Sequence, residues 1–265
     1  MSVKLKTFIT LSLGALLFYF SCNKPVKSTT DNSAIGSQLA VNLYKSLTGA
    51  NGGTNVASGN KTPFGVRAGG RQVYGTNPFS CGAVFDTTLH YSNPSHDTTQ
   101  AYLQHIKYVL TCSGQTVNGY TMLDSVGITT TAPLMQNNIT VVQSYNLRAL
   151  DTTYKVVSMD GSIVNNTAFN TFNSSNVVNG YHKINSFYAL SGYTIDASQG
   201  ISVITSGTST FTAVQNDLSN GTSLTINYAG TITFVANNIA QITFTINGGA
   251  PQSYKIDVIH GTVVN

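Results

Sequence analysis

Nine aspartates and five histidines could carry acid–base or metal chemistry in this chain of 265 residues, which contains no glutamate. Paired-carboxylate chemistry of the glycosidase kind needs two aspartates close together in the fold. The nine are scattered, and no two pair off by their spacing. The nucleophile elbow G-x-S-x-G is absent, and the zinc motif H-E-x-x-H cannot occur without glutamate. The sequence therefore identifies no catalytic residue, and we expect neither an enzyme nor a bound cofactor.

The best metal-ligand candidates are His90, His96 and Asp97, with Asp86 nearby. Asp86 and His90 are four residues apart and share one face of a predicted strand. His96 and Asp97 fall in the turn that follows. Imidazole and carboxylate groups together suit several transition metals. The alternative is that each histidine simply hydrogen-bonds on a strand face. We favour that alternative and predict no metal site.

Four aspartates are each followed directly by a serine or threonine and then by Thr or Val. This pattern resembles the Asp-(Ser/Thr)-x acceptor motif for O-glycosylation in Bacteroidetes. The resemblance implies O-linked glycans at Thr87, Thr98, Ser125 and Thr152. Turn chemistry is the alternative interpretation, because Asp and Thr side chains hydrogen-bond nearby backbone amides.

Cys22 follows a short apolar run near the start of the chain. Lys4 and Lys6 precede this run, Thr7–Phe20. Its length of about 14 residues is below the roughly 20 of a membrane-spanning helix and fits a cleaved signal peptide. Ser21-Cys22 resembles the lipobox of bacterial lipoproteins. The resemblance implies cleavage after residue 21 and acylation of Cys22. An ordinary signal peptide that contains a cysteine is the alternative.

The composition is poor in charge, with only 8% charged residues, and rich in Ser, Thr and Asn. It resembles the secreted and surface proteins of Bacteroidetes. The two resemblances together imply a lipid-anchored protein of the cell envelope, at the periplasmic or surface face of the outer membrane. The membrane is then an expected partner. Nucleic acid is not expected, because the formal charge of +4 falls to +2 without the two signal lysines and no basic cluster remains.

Cys81 and Cys112 remain as an even pair in an oxidising compartment, so we expect a disulfide. Cys81 precedes a predicted strand, Ala83–Ser92, and Cys112 ends another, Tyr102–Cys112. The two cysteines meet at the base of the hairpin that these strands form when they pair antiparallel. Closing this loop contributes about 3–4 kcal/mol in the chain-entropy model. Two free buried thiols are the alternative.

A helix is predicted over Ser33–Thr48, beginning at a cap provided by Asn32 or Ser33 and ending at Gly49. Apolar residues recur every four positions along it, at Ile35, Leu39, Leu43 and Leu47. We expect this face to pack on the domain that follows. A helix lying on a membrane surface is the alternative.

From Cys81 onwards the hydrophobic period is two, and short strands alternate with turns such as Asn237-Asn238. This pattern predicts an all-β antiparallel meander, a sandwich or an open barrel, with one N-terminal helix. The segments Tyr154–Asn165 and Tyr254–Asn265 share Tyr-Lys at the start, a central Gly and Val-Asn at the end. Two duplicated β-units explain this similarity, and so do two similar hairpin endings in one meander.

The predicted organisation is a signal peptide (1–21), a polar tether (22–32), the helix (33–48), a Gly-rich loop region (49–80) and two β-units (81–165 and 166–265). The expected function is a non-catalytic structural or binding role in the envelope. One alternative is a carrier of a lipid or other apolar ligand in an open β-barrel lined by Tyr and Phe. Another is a glycan-active envelope enzyme. The expected partner besides the membrane is an apolar ligand or an envelope protein.

Overall fold

The computed structural model describes residues 32–50, 81–95, 97–151, 155–196, 198, 203–236 and 238–264. The signal peptide and Cys22 lie outside the described residues, as does most of the Gly-rich loop region. The described elements are α1 (Asn32–Leu47), β1 (Val84–Ser95), β2 (Thr98–Ser113), β3 (Thr116–Ala132), β4 (Met135–Ala149), β5 (Val156–Phe172), β6 (Val178–Asp196), β7 (Val203–Ser219), β8 (Thr222–Ala236), β9 (Ile239–Ile246), β10 (Gln252–Asp257) and β11 (Thr262–Val264).

All eleven strands belong to one sheet, in the order of the sequence from β1 to β11. Every neighbouring pair is antiparallel. The prediction of an all-β antiparallel meander with one N-terminal helix is therefore confirmed. β1 and β11 are the two edges of this sheet. Among the residues just given, no helix is long and apolar enough to cross a membrane.

The strands alternate between a face that contacts α1, called the inner face below, and an outer face. In β4 the inner-face residues Val141, Gln143, Tyr145 and Leu147 are all buried. The residues between them, such as Ser144 and Asn146, are exposed on the outer face. This alternation follows from the two-residue period of a strand, which directs successive side chains to opposite faces.

The inner face curls around α1. Leu39 and Val41 are two residues apart, so their side chains leave the helix about 200° apart. Both are nevertheless buried, and Val41 lies beside the turn at Gly261, so the helix is covered on two sides. The Ser37 hydroxyl donates a hydrogen bond to the Gly261 carbonyl, just beyond β10. Gln143 Nε2, on the inner face of the distant strand β4, donates to the backbone carbonyl of Ser46 in α1.

The helix ends at Gly49 in the way its sequence predicts. Gly49 has a φ of 71°, a left-handed conformation that glycine adopts without strain. The Ala50 N–H donates to the Lys45 carbonyl at 2.8 Å, and the Gly49 N–H donates to the Ser46 carbonyl at 3.4 Å. These two bonds form a Schellman motif, which satisfies carbonyls at the end of the helix. The observed bounds of α1 differ from the predicted bounds by one residue at each end.

The cysteines meet at the base of the β1–β2 hairpin. Val84 lies opposite Val109 in the antiparallel pair. Cys81 and Cys112 are joined by a disulfide, and their Cα atoms are 5.7 Å apart. The disulfide therefore joins the two cysteines as the predicted strands imply, because the antiparallel pairing of β1 with β2 brings them together.

The two similar segments adopt different structures. The first continues through Gly161 as part of β5, with an irregularity in the ladder between Met159 and Gly161. The second turns at Gly261, which has a φ of 67°, between β10 and β11. The boundary predicted at Asn165 falls within β5, and both predicted β-units contribute neighbouring strands to the same sheet. A duplication of the two segments stays a prediction.

Candidate functional site

Towards one end of the strands, the inner-face residues are less buried than those around α1. The register aligns one inner-face residue from each strand, β2 to β8, in a single row. We call this row the open row: Tyr102, Ile128, Ile139, Thr167, Ile184, Gln215 and Ile226. All of its members except Ile184 are only partly buried. The row therefore forms an apolar surface that contains three partly exposed isoleucines.

A polar network lies at the β2–β3 end of the open row. The Tyr102 hydroxyl donates a hydrogen bond of 2.6 Å to Gln104 Oε1. Gln104 Nε2 lies 3.0 Å from each carboxylate oxygen of Asp124 and donates to them. Asp124 is 0% exposed. The buried carboxylate fixes the amide of Gln104, and the amide in turn orients the tyrosine at the edge of the open surface.

A second network has the same connectivity at the β6–β8 end. The Tyr228 hydroxyl donates to Gln215 Oε1 at 3.0 Å, and Gln215 Nε2 donates to Asp217 Oδ2 at 2.5 Å. His182 Nδ1 lies 2.5 Å from Asp217 Oδ1. Because a carboxylate only accepts, Nδ1–H is the donor of this bond, and the second ring nitrogen, Nε2, takes no part in it. This end therefore offers one additional polar atom that the first end lacks.

The centre of the inner face contains an unsatisfied polar group. Asn165 is buried, and its Oδ1 has no hydrogen-bond partner among the described residues. The Ser186 hydroxyl donates to the backbone carbonyl of Asn165 at 3.2 Å, which leaves the side-chain oxygen available. A buried acceptor without a partner costs free energy, so it marks a position where a donor would be stabilising.

The tyrosines of the two networks, Tyr102 and Tyr228, are protonated hydrogen-bond donors at neutral pH. Burial raises the pKa of Tyr102, and the nearby Asp124 carboxylate raises it further. Burial likewise raises the pKa of Tyr228, with Asp217 as the second cause. Each hydroxyl therefore remains neutral and donates to its glutamine. The arrangement as a whole can recognise a molecule with an apolar body and polar groups. No set of three metal-ligating side chains comes together in the part of the chain that the structure describes.

The residues considered as metal ligands lie apart. Asp86 accepts a hydrogen bond from His105 Nε2 at 2.7 Å on the outer face. His90 is exposed further along the same strand, and Asp97 is in the turn after it. His96 lies outside the described residues. The hydrogen bond from His105 to Asp86 involves a histidine that was not a candidate ligand, so the interpretation of His90 and His96 stays a prediction.

The glycosylation candidates fall on strands in three cases. Thr87 is exposed in β1, Thr98 begins β2, and Ser125 lies in the middle of β3 on the outer face. Thr152 lies outside the described residues. Turn chemistry is visible at the preceding residue, since Asp151 Oδ1 accepts hydrogen bonds from two following backbone amides. O-glycosylation at these sites stays a prediction.

The two polar networks were missed at the level of sequence, although a signal for them exists. Asp124 has the same strand parity as Met122 and Val126, which are both buried. Gln104 likewise alternates with the half-buried residues Tyr102 and Ile106. A polar residue within an apolar alternating series indicates a buried polar group that needs a partner. The partner is on another strand, and the sequence does not show which one.

Another concave region lies at the outer surface near the disulfide. It is a shallow groove of about 360 Å³, lined by Thr111, Cys112, Ser113, Asn118, Asn146 and Arg148. Its lining combines hydroxyl and amide side chains with the disulfide-bonded Cys112 and a single cation, Arg148, and contains no large apolar side chain. The inner face therefore remains the stronger candidate for a binding site.

Comparison of the chain with protein-family models, with curated proteins and with solved structures finds no match in any of the three.

Proposed function

We propose that this protein is a lipid-anchored β-protein of the bacterial cell envelope, of the kind found in Bacteroidetes, with a non-catalytic binding role. The Ser21-Cys22 pattern after an apolar run supports the anchor. The low charge and the Ser, Thr and Asn content support a location in the envelope, at the outer membrane. The open row is the surface through which binding takes place.

The proposed binding role rests on one observation. The open row presents Ile128, Ile139 and Ile226 partly exposed, with a Tyr–Gln–Asp network at each end. Ligand sites are mostly apolar, with a few polar groups held in place by other residues. The three isoleucines also pack against the core, and their exposed parts are the surface that a bound apolar molecule would cover.

The second candidate function is a carrier of a lipid or other apolar ligand. The three isoleucines and the donors near them favour an elongated ligand with an apolar body and a polar end. Such a ligand would lie on the open row and not in the centre of the sheet, because Leu39, Leu43 and Leu47 of α1 already fill that part of the inner face. The alternative of a glycan-active enzyme gains support only from the His182–Asp217 pair.

Membrane fractionation tests the anchor. Cys22→Ala removes the acylated sulfur, and the protein should then leave the membrane fraction for the soluble fraction, because a lipid anchor contributes free energy for each buried methylene. Unchanged partitioning of the variant into detergent would contradict the anchor. A serine substitution at Cys81 is not a suitable control because that residue forms the disulfide.

Titration with the fluorescent fatty acid cis-parinaric acid tests the binding surface. The protein used for this titration begins at Asn23. This start removes the signal peptide and Cys22 and keeps the compact unit Ile35–Asn265. We expect saturable binding that Ile139→Asn weakens about tenfold, the equivalent of about 1.4 kcal/mol. The matched control is Val142→Asn, on the outer face of the same strand. Equal affinities of the two variants would exclude the open row, and an absence of saturation would exclude the carrier.

A further inference from the structure

β1 is an edge strand whose outer side has no partner strand in the described chain. It pairs with β2 along one side only. The Leu110 N–H donates to the Ala83 carbonyl at 2.9 Å, so Ala83 and every second residue after it direct their backbone groups towards β2. The intervening residues direct theirs away from the sheet: Val84, Asp86, Thr88, His90 and Ser92. No strand of the described residues pairs with this row of N–H and C=O groups, which makes it available for pairing.

The same strand exposes large apolar side chains. Phe85 is 40% exposed, Leu89 51% and Tyr91 45%, all on the inner-face side. Proteins normally protect an edge strand with lysine, proline or a bulge, because a long apolar edge invites pairing with another chain. The only proline of β1 is Pro94, the outward position that follows Ser92 near the end of the strand, and β1 has no lysine. The edge from Val84 to Ser92 is therefore unprotected.

We propose that β1 pairs antiparallel with β1 of a second copy of this chain, about a twofold axis that passes through Thr88. A twofold axis makes an interface isologous, so each contact occurs twice. Five outward residues in each copy then both donate and accept, which gives about ten backbone hydrogen bonds. The two sheets become one continuous sheet across the axis.

Charge complementarity selects this partner and this register. With the axis at Thr88, Asp86 lies opposite His90 of the second copy, so that each of the two contacts joins a carboxylate and an imidazole. Asp86 Oδ1 already accepts a hydrogen bond from its own His105, so in the proposed dimer the second carboxylate oxygen accepts from His90 of the second copy. A cross-strand pair of this kind is stabilising, whereas like groups opposite each other are not.

The apolar side chains agree with the same register. Phe85 lies opposite Tyr91 of the second copy, so two aromatic pairs form on the inner-face side. Thr87 lies opposite Leu89. Moving the axis by one residue to Leu89 would place Asp86 opposite Ser92 and separate the aromatic side chains. Only the axis at Thr88 satisfies the charges and the aromatic side chains together, which is how a register becomes specific.

Cysteine cross-linking tests the register. Hydrogen-bonded residues on antiparallel strands have Cα atoms about 5.5 Å apart, within the range of a disulfide. Thr88→Cys should therefore form a covalent dimer on oxidation in air, seen on a non-reducing gel. Ser92→Cys is the matched control, since it has the same face and exposure but lies far from its own symmetry mate. Equal cross-linking of both variants, or none at Thr88→Cys, would overturn the proposed register.

Light scattering of the parent protein at increasing concentration tests the dimer itself. One strand pair gives an interface at the low end of the usual range of roughly 1,200–2,000 Å², so we expect a reversible dimer. Thr88→Pro removes an outward N–H without affecting the bonds to β2 and should weaken the dimer about tenfold. His90→Asp should weaken it as well, because two carboxylates would then lie opposite each other. A parent that remains monomeric at every concentration would overturn the proposal.

Discussion

The hydroxyl of Tyr188 on β6 donates a hydrogen bond of 3.2 Å to the backbone carbonyl oxygen of Leu39 in α1. Both residues are fully buried or nearly so. A carbonyl in the middle of a helix accepts a bond from within the helix and has a second lone pair for another donor. The tyrosine uses this second site and thereby fixes the position of α1 along the row of strands that it crosses.

Alkaline pH should destabilise the protein. Burial raises the pKa of Tyr188 to about 12, whereas an unfolded tyrosine titrates near 10. The stabilisation is complete below about pH 10 and is lost as the pH rises towards 12, because only the unfolded chain releases its proton there. Denaturant unfolding at increasing pH measures the loss. Tyr188→Phe should reduce this pH dependence, and an unchanged dependence would contradict the assignment.

Truncating one buried residue of the helix should cost much more than truncating an exposed one. Leu43 is 0% exposed, and Leu43→Ala is expected to lower the free energy of unfolding by about 2–5 kcal/mol. Gln38→Ala, on the exposed side of the same helix, should change it by less than about 0.5 kcal/mol. Deletion of residues 23–50 should lower the melting temperature. A truncated protein that melts like its parent would show that α1 is only a spacer.

The helix and the first hairpin could be predicted from the sequence because each depends on local spacing. Leucines four residues apart define one side of α1, and Gly49 ends it. The disulfide followed from the pairing of adjacent strands. The curling of the sheet could not be predicted in the same way. It depends on buried contacts on a second side of α1, at Val41, whose position relative to the leucines did not indicate a second packing surface.

Gly230→Ala should be strongly destabilising. A Cβ atom at Gly230 would lie 2.1 Å from the Thr243 carbonyl oxygen and 2.7 Å from the Phe244 Cα. Backbone atoms of β9 cannot move without disturbing the ladder, so we expect a loss of about 1–3 kcal/mol. Gly127 is the matched control, since it also lies inside a strand and a Cβ there meets nothing within 4 Å. Thermal unfolding of Gly230→Ala and Gly127→Ala should separate the two positions, and equal melting temperatures would contradict the close approach.

Removal of the disulfide should loosen the base of the first hairpin. The bridge spans 31 residues, and the chain-entropy model assigns it about 3–4 kcal/mol. The double variant Cys81→Ser with Cys112→Ser should lose this amount in denaturant unfolding. Mass spectrometry of the digested, non-reduced protein should find the two peptides linked. Two thiols that alkylate freely in protein taken from the envelope would contradict the bridge.

The candidate site could be predicted only in part. The two-residue period of β3 places Asp124 on the same face as Met122 and Val126. A carboxylate is unusual at such a buried position. The sequence does not show that Gln104 contacts it diagonally from β2, where Ile106 lies directly opposite Asp124, because that contact depends on the register between β2 and β3. A register shift of one residue would have moved Asp124 to the outer face.

The position of α1 at the start of the chain also has a consequence for the order of folding. Its hydrogen bonds join residues that are 97, 149 and 224 positions apart in sequence. Neighbouring strands, by contrast, are joined by short turns and can assemble hairpin by hairpin as the chain emerges. The helix emerges before every strand, and its partners follow at Gln143, Tyr188 and Gly261 in turn. Its full set of contacts therefore exists only when nearly the whole chain has been made.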